Sequence, residues 1–418
     1  LSENHNEALF YYDFYVKIIM KLFIWRFNWM YGQLLEASEL FKSADQSYQN
    51  VHYHYFLPTL LNQGYEPKDS SLYLLSEKAV KLITQLNSNS RNIKQLEIFI
   101  QRIVQHEAVE SSSLEGTKTT FAELVLPEER TEDLNKQHDR QEVENYVQAI
   151  WQAQNLLEEL PTSERYCKDL HRTLLSGVRG SDKKPGDFRT VQNWIGGRTI
   201  KTAQFVPPHP SHLSMLMQDL FQFWHNDSLM ITTPMKIALF HYQFETIHPF
   251  MDGNGRLGRL LMLAQLMESE LLDNPCLNVS VIFNRNKERY TERLKYANTT
   301  GDLDSWILFF LDSFIEAAEH TSETYKAFSD LQNECDDKIV SLKAKMYNAK
   351  KLLDHLYETP YSTIRMTCEY LGITPQTAKN LHADLIDLGI VTNYRPRLPN
   401  ERIQEAIRFS KYIDIFHS

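Results

Sequence analysis

The sequence predicts a mainly α-helical protein with a small β-hairpin flap and a C-terminal winged helix-turn-helix domain. Three observations carry that expectation. Apolar residues recur at helical spacing through most of residues 71–335. One stretch, residues 180–212, changes character: Gly, Pro, Asn and Thr become frequent around Val191, Trp194, Ile195, Phe205 and Val206, as in a hairpin. From Tyr347 onward, three short helical patterns broken at Gly372 and Gly389 lead into two strand-like stretches.

The elements follow in order. Residues 1–50 carry no pattern that assigns them. Pro58 and Pro67 make residues 51–70 an extended lead-in. Leu72, Leu75, Ala79, Leu82, Ile83 and Leu86, then Leu96, Ile100 and Ile103, predict a helical hairpin over 71–113, stopped at Gly116 as a C′ residue. Residues 127–140 are polar and charged and read as a surface loop. A helix is expected over 142–160, then a turn and N-cap at Pro161-Thr162-Ser163, then a helix ending near Gly177. After the flap come helices over 211–225, from Thr233-Pro234 to the Pro249 break, and over 254–272. Thr233 is the expected cap of the second. The third is apolar on most sides, as a buried central helix is. Further helices are expected over 302–335, then helices at 350–357, 363–371 and 375–388 with strands at 390–391 and 407–409. The resulting division is 1–50 unassigned, 51–125 N-terminal helical region, 126–320 core, 321–345 linker helix and 346–418 winged helix.

Composition narrows the function classes. A hydrophobic share of 42% and an aromatic share of 12% are those of a folded chain. The 418 residues suffice for two or three domains at roughly 100–200 residues each. A formal charge of -10 repels phosphate backbones overall, so nucleic-acid binding would need a local basic patch. Cys167, Cys276, Cys335 and Cys368 form no C-x-x-C pair, which suits a reducing cytosol and argues against a zinc ribbon or disulfide framework. The apolar stretch from Phe14 to Tyr31 is interrupted by Lys17, Lys21 and Arg26, short of the ~18 uninterrupted apolar residues of a span. It has no small-residue cleavage site, so neither a membrane anchor nor a signal peptide is expected and the cytoplasm is the expected location.

The chemistry concentrates in His248-Pro-Phe-Met-Asp-Gly-Asn-Gly-Arg-Leu-Gly-Arg259. His248 stands where one helix ends, and Gly253-Asn254-Gly255 opens the next. Small residues let backbone N–H groups approach an anion, and the helix N-terminus adds unpaired donors. Arg256 and Arg259 project from one side of that helix and suit a di- or triphosphate. Asp252 offers a hard oxygen to Mg²⁺. His248 can take the proton of an attacking hydroxyl. Each part alone has an ordinary explanation as a cap, a turn or a surface pair. No core or turn requirement asks for all of them together. His241 and His248 lack a third ligand at useful spacing for zinc.

This segment resembles the Fic family motif, H-P-F-x-[DE]-G-N-G-R-x-x-R, at every defined position. The resemblance implies the Fic fold, ATP as substrate, Mg²⁺ as metal and transfer of AMP to a Ser, Thr or Tyr hydroxyl of a target protein, with this chain itself as one candidate acceptor. His248 is then the base and Asp252 the metal ligand. Gly253, Asn254 and Gly255 are then the anion hole for the α- and β-phosphates, and Arg256 and Arg259 the β/γ-phosphate contacts. Phe250 reads as an anchor of the loop.

Ser111-Ser-Ser-Leu-Glu115-Gly116 ends a helix, with Ser111 and Glu115 on one face. Beside that motif it resembles the family's inhibitory pattern, [ST]-x-x-x-E-[GN], in the N-terminal placement of the family's second class. The resemblance implies that Glu115 pairs with Arg259 and blocks a γ-phosphate contact. Residues 186–197, with Val191, Gln192, Asn193, Trp194 and Ile195, resemble the flap that pairs with an extended target segment. Arg189 has two readings, flap anchor or ligand contact. Asn286 and Tyr290 resemble nucleotide-side positions, with ordinary helix packing as the alternative. Other Fic relatives remove AMP or transfer other nucleotides or phosphocholine. A transcription regulator with a sensing core is a further alternative. For that role, Lys379 and His382 stand on the third C-terminal helix with Asp384 and Asp387, and Arg395, Arg397 and Arg402 on the wing. Homodimerisation is a further possibility the sequence leaves open.

Overall fold

The computed structural model describes residues 32–42, 48–90, 94–126, 134–395 and 405–416. The Phe14–Tyr31 stretch, Arg397 and Arg402 lie outside the described residues. The chain forms two compact units, each assembled from three separated stretches: 1–73, 187–254 and 288–310, and 74–186, 255–287 and 311–418.

The first unit holds an antiparallel hairpin, Gly32–Lys42 with Tyr48–Pro58, in register from Gly32 opposite Pro58 to Lys42 opposite Tyr48. The division drawn at residue 50 falls inside its second strand. Alternation sorts the faces: Val51, Tyr53 and Tyr55 are buried while His52 and His54 are exposed. The buried face meets Ile200, with Leu35, Ala37, Phe41, Leu57, Trp194 and Val206 packed around it. Phe56 N–H also donates to the Val206 carbonyl at 3.0 Å. The helices of this unit include Leu213–Trp224 and Thr233–Ile247, and the chain enters the long Leu303–Ile339 helix here. Trp306, on that helix, is fully buried and donates its indole N–H to the Ala238 carbonyl at 2.8 Å.

Two expectations for this unit change. The cap of Thr233–Ile247 is Thr232, not Thr233. Thr232 has the extended backbone that an N-cap needs, and Thr233 is already helical. The flap forms a single β-bridge, Ile195 with Phe205, and no ladder. Gly196 and Gly197 have φ of 69° and 75°, and the 3-10 turn Ile200–Thr202 consumes the residues that a longer hairpin would pair. Gly197 must be glycine, since a Cβ there would lie 2.2 Å from the Thr202 carbonyl oxygen.

The second unit is built on helices Ser71–Ser90, Leu96–Leu114, Leu134–Leu157 and Glu164–Leu174. Ser163 caps the last of these by accepting the Tyr166 N–H. The expected loop over 127–140 is helical from Leu134 onward. Asn135, Lys136 and Gln137 are exposed on it, whereas Asp139 is buried, accepts the Lys118 N–H at 3.1 Å and pairs with Arg179. A short helix, Phe121–Val125, follows a capping box at Thr120 and Glu123. Residues 302–335, read as separate helices, belong to the one helix Leu303–Ile339, whose interior has no Pro or Gly to break it.

The C-terminal part contains helices Met346–Glu358, Ile364–Leu371 and Pro375–Asp387. A three-stranded antiparallel sheet accompanies them, with Ala406–Arg408 between Tyr361–Thr363 and Thr392–Tyr394. The Tyr361–Thr363 strand is too short to give a sequence pattern. The strand expected at 390–391 lies at 392–394, because Ile390 and Val391 are buried where the chain leaves the preceding helix. This part packs on the Leu96–Leu114 helix and the turn beyond it. Arg102 donates to the Tyr412 hydroxyl at 3.2 Å and to the Glu358 carbonyl, and Phe416 lies 5.3 Å from Phe121, ring to ring.

Candidate active site

His248 closes the Thr233–Ile247 helix in the left-handed region, at φ 49° and ψ 60°. Such a backbone is costly for a residue with a Cβ, so surrounding bonds must hold it. Its N–H donates to the Phe244 carbonyl at 2.9 Å. Its carbonyl accepts from Arg189 Nε at 2.9 Å and Asn193 Nδ2 at 3.4 Å. Arg189 also donates to the Pro208 and Ile247 carbonyls and so ties the flap to the His248 loop. Burial pushes its guanidinium down to about 10. The His248 side chain stays 22% exposed, with Nδ1 3.3 Å from the Glu245 carbonyl and 4.0 Å from its carboxylate.

The loop beyond His248 is stapled by amides. Asn254 Oδ1 accepts the Phe250 N–H and Nδ2 donates to the Phe250 carbonyl, both at 2.9 Å. Asn193 Nδ2 reaches the same carbonyl at 3.0 Å. The Asn254 side chain is thus committed to the loop. Phe250 is fully buried, 5.2 Å from the Phe188 ring. Asp252 Oδ1 accepts the Gly253 N–H at 2.6 Å, and Gly253 has φ 75°. Asp252 is partly exposed and is the one carboxylate of the turn.

In the second unit, the helix Asn254–Glu268 carries both motif arginines, and each meets a carboxylate. Arg259 is 2% exposed. Its Nε donates to Ser111 Oγ at 2.8 Å, and its Nη2 donates to the Ser111 carbonyl at 2.9 Å and to Glu115 Oε1 at 2.8 Å. Glu115 is the C-cap of Leu96–Leu114, 43% exposed, and Gly116 follows at φ 95°. A Cβ on Gly255 would lie 2.2 Å from Glu115 Oε1, so the carboxylate rests against the first turn of the motif helix. That turn is where unpaired N–H groups attract an anion.

Sequence reasoning missed several residues here. Glu142 Oε2 lies 3.5 Å from Arg256 Nη1 and accepts the Thr117 hydroxyl at 2.8 Å, and its Oε1 accepts Arg179 Nε at 2.9 Å. Lys287 Nζ donates to the Leu114 carbonyl at 2.7 Å, which satisfies the end of the helix that bears Glu115. Glu107 is fully buried, bonded to the Ser280 N–H at 3.0 Å and to the Ser280 hydroxyl. Burial raises its carboxyl to about 8, against the Ser280 bonds and the Arg259 charge. Glu107, Ser111 and Glu115 recur every four residues, a spacing that places them along one helix face. That spacing was the available signal. Glu142 and Lys287 had none, because their partners come from distant segments.

The flap residues divide by burial. Gln192 and Asn193 are buried, and Gln192 Nε2 donates to the Asn193 and Pro207 carbonyls, both at 2.9 Å. Trp194 packs 6.2 Å from Phe41, ring to ring. Val191 and Ile195 are exposed. Tyr290 is buried, its hydroxyl lies 2.9 Å from His241 Nε2, and its ring packs 6.1 Å from Trp306. His241 stacks on Trp306 and belongs to the same core. Asn286 turns its amide back to the Ile282 carbonyl of its own helix at 3.1 Å. His382 is likewise a core residue, 2.7 Å from the Thr367 hydroxyl, and burial pushes it down to about 4. Lys379 lies 3.5 Å from Glu405. Cys167, Cys276 and Cys335 are buried thiols and Cys368 is half-buried. Among the described residues, no helix is long and apolar enough to cross a membrane, and no group of three or more His, Cys, Asp or Glu side chains is arranged to hold a metal.

Residues 161–266 match the Fic/DOC family and residues 73–155 match the Fic/DOC family N-terminal region. The chain carries a Fic/DOC-family domain. It is 32% identical over 273 residues to Protein adenylyltransferase Fic of Drosophila virilis, covering 62% of this chain and 50% of that protein. It is 31% identical over 273 residues to the protein of the same name from Drosophila grimshawi, with the same coverage. The chain spans about half the length of these curated relatives. The crystal structure of a Fic family protein from Desulfovibrio desulfuricans G20 has the same fold, at a TM-score of 0.50 and 20% identity, over 82% of this chain and 98% of that one.

Proposed function

We propose that this chain transfers AMP from ATP to a Ser, Thr or Tyr hydroxyl of a protein, and that Glu115 restrains it by occupying Arg259. The bond from Arg259 Nη2 to Glu115 Oε1 carries the reading: it joins the family's catalytic motif to the inhibitory pattern that the sequence suggested. A γ-phosphate and Glu115 would compete for one guanidinium, and two anions beside one helix N-terminus repel each other.

In the transfer, the target hydroxyl oxygen attacks the α-phosphorus. The new O–P bond forms as the bond to the β-phosphate oxygen breaks, and pyrophosphate leaves. His248 takes the hydroxyl proton. The backbone N–H groups of the turn at 253–255 and the two arginines would hold the phosphate charge. The residues fit Mg²⁺, which takes one or two carboxylates with phosphate oxygens and water: Asp252 offers a partly exposed carboxylate on the turn. When bound, the metal would neutralise charge on the leaving pyrophosphate. Exposed Val191 and Ile195, on a flap anchored from below by Gln192 and Asn193, suit pairing with an extended target segment. The C-terminal helices and sheet fit a winged helix. With His382 buried and Lys379 beside Glu405, protein contact suits it better than a nucleic-acid groove.

Intact mass after incubation with ATP and Mg²⁺ tests the reading, comparing the parent, Glu115→Gly and His248→Ala with a protein acceptor present. AMP adducts in Glu115→Gly and none in His248→Ala are expected. ATP labelled separately at the α- and γ-phosphate distinguishes the reaction. Label from γ on the acceptor would mean phosphate transfer and would overturn AMP transfer.

A further inference from the structure

Arg259 and Arg256 are both held by carboxylates, but the two carboxylates differ in kind. Glu115 is 43% exposed at a helix end, where a side-chain rotation can take it away. Glu142 sits inside the Leu134–Leu157 helix, and it and Arg256 each keep only 5% side-chain exposure. Glu142 faces Arg256 at 3.5 Å, Arg179 at 2.9 Å and Thr117 at 2.8 Å. Arg179 is itself tied to Asp139, and Asp139 accepts the Lys118 N–H. A buried carboxylate so enclosed cannot swing out to admit a phosphate. It can only set where Arg256 points.

Thr117 links the two arginine systems. It stands two residues beyond Glu115, across Gly116, and its N–H donates to the Ser112 carbonyl at 3.2 Å. One turn of chain therefore sends Glu115 to Arg259 and Thr117 to the partner of Arg256. We propose that Glu142 is the positioning residue of Arg256 and that, through the Thr117 hydroxyl, it tethers the turn that keeps Glu115 on Arg259. This rests on the AMP-transfer reading above.

The closing experiment uses the full chain. Thr117→Val in the parent is expected to raise AMP transfer about threefold or more, the scale of one lost hydrogen bond. The same change in Glu115→Gly is expected to alter transfer by less than about twofold, because no restraint remains to release. Thr117→Ser should restore the parent rate. In the Glu115→Gly chain, Glu142→Gln is expected to weaken ATP and ADP binding by about tenfold, as loss of an oriented charge-assisted contact does, with AMP binding little changed when measured well below the lowered melting temperature. Equal weakening of ATP and AMP would mean a merely structural glutamate and would overturn the positioning role. An unchanged parent rate in Thr117→Val would overturn the tether. Should Glu115→Gly bind no ATP by calorimetry, the function itself falls and this inference with it. If Glu115→Gly binds ATP and transfers AMP, a failure of the Thr117 and Glu142 arms removes this inference alone.

Discussion

His248 and Arg259 belong to one motif, yet different forces hold them. Around His248 it is the backbone that is held, its N–H by the Phe244 carbonyl and its carbonyl by Asn193 Nδ2 and the Arg189 guanidinium, while Asn254 staples Phe250 beyond it. Around Arg259 and Arg256 the partners are the carboxylates of Glu115 and Glu142. A backbone carbonyl cannot leave its loop, so the base is fixed. The Glu115 carboxylate, 43% exposed, can be replaced by another anion, so the partner of Arg259 is exchangeable, whereas the buried Glu142 stays on Arg256. On the proposed function, rigidity and regulation are divided along the motif: chemistry at the stapled end, control at the charged end.

Five changes test that contrast, in falling order of effect. His248→Ala in the Glu115→Gly chain should lower AMP transfer by about 10²–10⁴-fold, the range of a lost general base. Initial rates within about tenfold of the unaltered histidine would place the base elsewhere. Glu115→Gly should raise transfer by roughly tenfold or more, since a charge-assisted bond is worth about 1.5–3 kcal/mol and part of it is lost to solvent screening. Glu115→Gln should fall between, with its shape kept and its charge gone; equal rates for Gln and Gly would mean that steric blocking contributes nothing.

Asn254→Ala should cost about 1–3 kcal/mol in urea unfolding, because the buried Phe250 N–H loses its acceptor. The Phe250 carbonyl keeps Asn193. An unaltered midpoint would deny the staple. The smallest effect concerns Glu107, about two turns before Glu115 on the helix Leu96–Leu114. Burial raises the Glu107 carboxyl to about 8. Between its unfolded value near 4.5 and about 8, the folded chain binds more protons than the unfolded one, so this group lowers stability as pH rises through that window. The contribution is at most about 1.4 kcal/mol per pH unit. Glu107→Gln should flatten the decline between pH 5 and 8; a curve parallel to the parent's would show that Glu107 is ionised in the fold throughout.

Much of this is legible in the amino-acid order alone. Helical spacing marks the hairpin over 71–113, which forms as helices Ser71–Ser90 and Leu96–Leu114, and Gly116 marks its end. The four-residue spacing of Ser111 and Glu115 places them on one face, and both meet Arg259. The polar run at 134–140 misleads because charged residues look alike whether they face water or a buried partner. Tyr290 shows the opposite difficulty: its pattern position carries no sign that its hydroxyl meets His241. The flap is over-read, since alternating apolar residues do not reveal that side-chain amides from Gln192 and Asn193 replace a strand ladder.

The sequence by itself determined the motif: a base, a metal-type carboxylate, a glycine turn and two arginines within twelve residues, where covalent connection alone enforces proximity. Only the tertiary structure decided which groups grip those residues. Glu142 on Arg256, Arg189 on the His248 carbonyl and Lys287 on the Leu114 carbonyl join segments far apart in the chain. Such pairs form because buried charges and carbonyls must find partners once water is excluded, and local spacing carries no record of which distant partner that will be.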